Sequence, residues 1–118
     1  MILGGGFGVT TVHGARIANN VVVYEAARSQ YNIISNTIKR EEVQDSVDLR
    51  YGLVSESCDV YDNDVGQYIS PADLPACDVW EVDIEGGELA LLKDLPYYPR
   101  VLIIECHPKY NTPAEKII

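Results

Sequence analysis

A glycine-rich turn near the N-terminus is the feature that most constrains what this chain can fold into. Residues 1–3 are apolar and a helical pattern begins at Val9; the turn between them consists of Gly4, Gly5, Gly6, Phe7 and Gly8. Glycine lets a backbone approach a ligand closely, and the first turn of a helix carries N–H groups that have no partner within the helix. The turn therefore predicts a ligand-binding loop between a buried strand and a helix.

The remaining sequence alternates short β-rich runs with helical patterns. Strands are predicted at residues 21–25, 47–54, 78–84 and 100–105, and helices at 9–19, 29–40 and 88–94. Residues 59–76 are predicted to form a loop, or a short helix around 65–69. Strands that alternate with helices predict right-handed βαβ units in a parallel sheet covered on both faces. We therefore expect an α/β fold, a Rossmann-like doubly wound sheet in the order 3-2-1-4-5, with the glycine turn at its topological switch point.

Composition narrows the class of protein. A single domain is expected from 118 residues, 47% of them hydrophobic, with no apolar run near the roughly 20 residues that span a bilayer. A net charge of −9 argues against nucleic acid as a partner, because that affinity comes from Lys and Arg. Cys58, Cys77 and Cys106 form no C-x-x-C pair, so neither a disulfide framework nor a metal site is predicted. We expect a soluble, cytoplasmic protein with buried free thiols.

Glu25 is a second candidate binding residue. It closes the second predicted strand 17 residues after Gly8, where a carboxylate can accept hydrogen bonds from a ribose diol. The dinucleotide fingerprint G-x-G-x-x-G/A fails, because Val9 and Thr11 occupy the places of its third small residue. The glycine spacing is G-x-G-x-G instead. Loop and carboxylate together predict a nucleoside-binding site, with an NAD- or nucleotide-dependent enzyme as one alternative.

Two stretches in the C-terminal half add a resemblance to one enzyme family. Residues 82–93 read VDIEGGELALLK, which contains a D-x-E-G-x-E element followed by Leu-Leu-Lys, and residues 100–108 read RVLIIECHP. Together with the G-x-G-x-G loop, they resemble the FkbM-type family of class I S-adenosylmethionine-dependent methyltransferases. The resemblance extends in order over nearly the whole chain.

The resemblance implies a function and a set of site residues. It implies an S-adenosylmethionine-dependent methyltransferase, with O-methylation of a hydroxyl on a small molecule, a sugar or a lipid as the reaction. The glycine loop, Glu25 and Asp83 would bind the cofactor. An alcohol acceptor must also lose a proton, which requires a general base. The candidates at the ends of the fourth and fifth strands are Asp83, Glu85, Glu105 and His107.

Simpler structural roles stay open for the same residues. Asp83 could cap the turn at Gly86, Glu85 and Glu88 could be acids favoured by a helix N-terminus, and His107 could anchor a loop. The family's domain continues past the fifth strand into a helix and a terminal strand pair, which this chain lacks. Residues 1–118 are therefore expected to be a truncated methyltransferase domain whose exposed sheet edge favours a homo-oligomer. A non-catalytic nucleoside-binding fragment is the second alternative.

Overall fold

The computed structural model describes residues 1–55, 60 and 62–117. Its strands and helices follow one another as β1 Ile2–Leu3, α1 Val9–Ile17, β2 Val21–Glu25, α2 Arg28–Arg40, β3 Val47–Tyr51, β4 Leu53–Val54, β5 Tyr68–Ile69, β6 Val79–Val82, α3 Glu88–Lys93, β7 Val101–Ile104 and α4 Ala114–Ile117. Short 3₁₀ turns occur at Gln44–Ser46, Pro71–Asp73 and Pro108–Tyr110. No helix in this part of the chain is both long enough and apolar enough to cross a bilayer.

The main sheet has the strand order β3-β2-β1-β6-β7, and all of its neighbouring strands are parallel. This is the predicted order 3-2-1-4-5, because β4 and β5 form a separate ladder and do not enter the sheet. Leu3 at the centre pairs with Tyr24 on one side and with Val82 on the other. The fold is therefore Rossmann-like, and the chain segments that follow β1, β2 and β6 emerge side by side.

Both faces of the sheet are buried near its centre. On one face Leu3, Tyr24 and Trp80 pack with Leu91 of α3, and Leu3 and Trp80 have no exposed surface. On the other face Ile2, Val21 and Val23 pack with Ala15 of α1. A parallel sheet requires this double cover, since its βαβ connections place helices on both faces. The rigid centre fixes the positions of the strand ends at which the candidate site lies.

The third predicted strand, at residues 47–54, is divided in the structure. After β3 the Gly52 N–H still donates to the Glu25 carbonyl at 3.0 Å, but the Leu53 N–H donates to Gln67 at 2.9 Å. The chain thus leaves the main sheet and pairs with β5. The short helix considered around 65–69 was wrong, because Tyr68–Ile69 is a strand.

Two smaller predictions also need correction. Cys77 and Cys106 are free thiols but are only half-buried, and Cys58 lies outside the described residues. The stretch Thr112-Pro113-Ala114-Glu115 predicts a capping box that begins with Thr112, but α4 starts at Ala114. The buried Thr112 hydroxyl instead donates to the His107 carbonyl at 3.0 Å and ties the chain back to the end of β7.

Candidate functional site

A cleft of about 540 Å³ opens at the carboxyl ends of β1, β2 and β6. This is the topological switch point, where strand order reverses and where ligands bind in doubly wound sheets. Most of the predicted site residues line it: Gly4, Gly6, Phe7, Glu25, Asp83 and Glu85. Apolar and small residues such as Leu3, Ala26 and Leu53 form much of the remaining wall.

Gly4 brings the two sides of this cleft into contact. Its N–H donates to the Tyr24 carbonyl at 3.0 Å, and the Asp83 N–H donates to the Leu3 carbonyl at 2.9 Å. Gly4 has φ +86°, and a Cβ atom there would lie 1.8 Å from the Asp83 carbonyl oxygen. No side chain fits at that distance, so glycine is required for the turn to cross over the end of β6.

Glu25 connects the glycine loop to the end of β2. Its Oε2 accepts a hydrogen bond from the Gly5 N–H at 3.0 Å, and its Oε1 accepts one from the Ala27 N–H at 2.9 Å. The residue is 8% exposed. Each carboxylate oxygen has two acceptor sites, so one site on each remains for a ligand after the backbone bonds are made. The glycine loop and the Glu25 carboxylate are therefore in direct contact.

A second group of charges lies on the opposite side of the cleft, around His107. Its Nε2 is 3.3 Å from Asp83 Oδ1, 3.4 Å from Glu85 Oε2 and 3.9 Å from Glu105 Oε1. Its Nδ1 is 3.0 Å from Glu88 Oε1. We call these residues the His107 cluster: Asp83, Glu85, Glu88, Glu105 and His107. All four sequence-predicted base candidates are members, because the turns after β6 and β7 adjoin at one edge of the sheet.

Glu88 has a larger part in the cluster than the sequence suggested. It has no exposed surface, and both of its oxygens accept from the Gly86 N–H, at 3.2 and 3.0 Å. Glu88, and not Asp83, therefore caps this turn. The same carboxylate bonds to His107 Nδ1, which must carry the proton because an ionised carboxylate can only accept. A signal was present: Glu88 lies three residues before Leu91, on the apolar face of α3, which indicates burial.

Negative charge is in excess at this side of the cleft. Burial is the largest of the causes that raise the pKa of the Asp83 carboxyl to about 6; Glu105, Glu85 and Glu88 add to it, and His107 opposes them. Burial also raises the pKa of Glu81, with Asp83 and Glu105 adding to the effect. Asp83 Oδ1 is buried and has no hydrogen-bond partner among the described residues. The cluster is therefore suited to a positively charged ligand or to proton transfer.

Comparisons with protein-family models, with curated proteins and with solved structures find no match to this chain.

Proposed function

We propose that the chain is an S-adenosylmethionine-dependent methyltransferase domain that acts on a hydroxyl group. The observation that carries the proposal is the cleft at the switch point, with the glycine loop and Glu25 on one side and the His107 cluster on the other. The first side offers acceptors to a ribose diol, and the second offers negative charge to a cationic group. The resemblance to FkbM-type methyltransferases in residues 82–93 and 100–108 supports the same conclusion.

The charge of the cleft favours this cofactor over a dinucleotide. Glu25, Asp83 and Glu85 line the cleft, and none of the described residues that line it is Lys or Arg. S-adenosylmethionine carries a sulfonium and an ammonium group, which these carboxylates attract. The pyrophosphate of NAD would instead meet like charge, and a buried anion without a partner is costly. The failed dinucleotide fingerprint agrees with this charge argument.

The reaction requires that the methyl donor and the acceptor be held in position and that a nearby group accept a proton. The methyl–sulfur bond breaks as the methyl–oxygen bond forms in line, so holding donor and acceptor together supplies much of the rate. The acceptor hydroxyl gives up its proton. Asp83 and Glu85 line the cleft and His107 contacts both of them, so these three residues are the candidates that accept this proton.

Calorimetric titration with S-adenosylmethionine tests the proposal and yields the first prediction. Glu25→Gln removes a charged acceptor from the ribose, and charge-assisted hydrogen bonds contribute about 1.5–3 kcal/mol each. We expect affinity to fall roughly tenfold or more. NAD should give no binding signal.

Glu41→Gln serves as the control, since Glu41 follows α2 and pairs with Arg16 outside the cleft. It should bind the cofactor as the wild type does, and circular dichroism should show that both variants are folded. Equal affinity in the wild type and Glu25→Gln would remove the ribose role. A wild-type chain that binds NAD but not S-adenosylmethionine would overturn the proposed function.

A further inference from the structure

The spacing of atoms around His107 Nε2 differs from that of a hydrogen-bonded ion pair. Nε2 is 3.3 Å from Asp83 Oδ1 and 3.4 Å from Glu85 Oε2, whereas charge-assisted N–H···O bonds are about 2.7–2.9 Å long. His107 is 9% exposed, so water does not replace these partners freely. Asp83 Oδ1 is also buried and accepts no hydrogen bond from any described residue. Nε2 therefore faces two carboxylate oxygens at distances longer than that of a charge-assisted hydrogen bond.

Those distances match the separations between ligands of one metal ion. Ligand atoms that lie about 2.1 Å from Zn²⁺ in a tetrahedral arrangement are about 3.4 Å apart. The two separations from Nε2 are both within about 0.1 Å of this value. Nitrogen from imidazole and oxygen from carboxylate are common ligands of first-row divalent cations.

Glu88 supplies the outer partner that a metal-binding histidine requires. Metal-ligating imidazoles almost always donate their other ring N–H to a carboxylate, a carbonyl or water, which fixes the tautomer. Here Nδ1–H donates to the fully buried Glu88 carboxylate, which the Gly86 N–H holds in place. Nε2, the ring atom left for a bond to a metal, faces Asp83 and Glu85. The potential ligand atoms of Asp83, Glu88 and His107 also lie within 4.8 Å of one another.

We propose that Asp83, Glu85 and His107 bind a divalent cation of the Zn²⁺ or Mn²⁺ type, with Glu88 orienting the imidazole. The ion would offset the charge of four carboxylates that surround one imidazole. The nearby cation Lys109 is 4.0 Å from Glu85, but its side chain is 64% exposed and its charge is screened by solvent. The ion site is formed by the His107 cluster alone and does not depend on which organic ligand the cleft binds.

If the cleft binds a methyl donor, the ion acquires a role at the acceptor. A divalent ion that keeps an open position lowers the pKa of a coordinated hydroxyl and orients its oxygen. Three protein ligands leave such a position, as in catalytic zinc sites. The acceptor class that fits this single position is a hydroxyl, which binds the ion through its oxygen. This extension rests on the proposed function, whereas the ion site does not.

Metal titration of the metal-free chain tests the site, with Zn²⁺ followed by calorimetry and Mn²⁺ by electron paramagnetic resonance. We expect one ion per chain. Asp83→Asn and His107→Gln should each weaken binding by more than about tenfold, and Glu88→Gln by about 10–100-fold, as outer-partner substitutions do. His13→Gln is the matched control, because His13 is exposed on α1, away from the cluster. It should bind as the wild type does.

Circular dichroism shows whether each variant is folded. If His107→Gln does not fold, the metal affinity of Asp83→Asn tests the site, because the Asp83 side chain is partly exposed. No binding of either ion by the wild type would overturn the proposal. So would wild-type affinity in folded Asp83→Asn, or an equal loss in His13→Gln. S-adenosylmethionine titrations with and without EDTA separate the two proposals: cofactor binding without an ion supports only the proposed function, and ion binding without cofactor supports only the metal site.

Discussion

Glu25 and Asp83 are two carboxylates on opposite sides of one cleft, and their surroundings differ. Each lies at the end of a strand that flanks β1. Glu25 is 8% exposed, yet both of its oxygens accept backbone hydrogen bonds. The Asp83 side chain is 35% exposed, but its Oδ1 has no hydrogen-bond partner among the described residues and burial raises its pKa to about 6. The number of backbone N–H groups that donate to each carboxylate, more than the depth of burial, distinguishes Glu25 from Asp83.

The local backbone explains where those donors go. The glycine loop directs the Gly5 N–H at Glu25, and the turn after β2 adds the Ala27 N–H. On the other side, Glu85 has φ +50° and Gly86 has φ +105°, and the Gly86 N–H is directed at Glu88. The Asp83 N–H is already used by the Leu3 carbonyl. One carboxylate is therefore held by the main chain, and the other is left among acidic neighbours.

The largest loss of stability is expected at Gly4, where the two sides of the cleft are in contact. Gly4→Ala places a Cβ 1.8 Å from the Asp83 carbonyl oxygen at a left-handed φ, so the loop and β6 must separate. We expect unfolding to become easier by at least about 3 kcal/mol. Gly6→Ala is the control, because its φ is +53° but no atom lies within 4 Å of the added Cβ. It should cost about 1–2 kcal/mol. Urea denaturation compares them, and equal losses would contradict the close contact.

An intermediate loss of stability is expected when Glu25, whose carboxylate accepts two backbone hydrogen bonds, is replaced. Glu25→Gln turns an acceptor into an amide N–H₂ group that faces a backbone N–H, which leaves a buried donor without a partner. Such a loss costs about 1–3 kcal/mol. Urea denaturation at neutral pH measures it. A variant as stable as the wild type would show that the two backbone bonds contribute nothing net.

Asp83→Asn is expected to increase the stability of the fold in metal-free buffer, in contrast to the two losses above. The raised pKa means that the ionised carboxylate disfavours the fold at neutral pH, so removing the charge should stabilise it. Partial exposure screens this charge, and we expect a gain of only about 1 kcal/mol. The gain should disappear near pH 4, where the folded wild type already carries a protonated Asp83. Destabilisation of the variant at pH 8 would contradict the charge argument.

The smallest effect concerns the edge strand that adjoins the His107 cluster. Val101 and Ile103 of β7 are 48% and 55% exposed on one face, beside the exposed Val79 of β6. We expect weak self-association at high concentration, which Ile103→Lys should abolish, since edges with apolar side chains favour pairing. Sedimentation equilibrium measures it. Ile17→Lys is the control, because Ile17 is 89% exposed on α1, away from this edge. A wild-type mass independent of concentration would contradict the prediction.

The sequence by itself determined the strand order and the location of the cleft. Strand and helix patterns alternate along the chain, and the right-handed connection rule leaves few topologies for such a pattern. The glycine spacing placed the glycine loop after β1, and the positions of Glu25 and Asp83 at strand ends followed from the same periodicities. These features depend on neighbouring residues in the chain, so a local pattern can reveal them.

Only the tertiary structure decided which charges are paired. Glu88 and His107 are 19 residues apart and meet because the turn before α3 and the turn after β7 adjoin across the sheet edge. The departure of the chain from the sheet at Gly52 likewise depends on Gln67, which offers Leu53 a carbonyl from a distant segment. Hydrogen-bond direction and burial arise from the packed arrangement of segments, and no periodicity along the chain encodes them. The charge of a carboxylate was therefore visible in the sequence, but its partners were not.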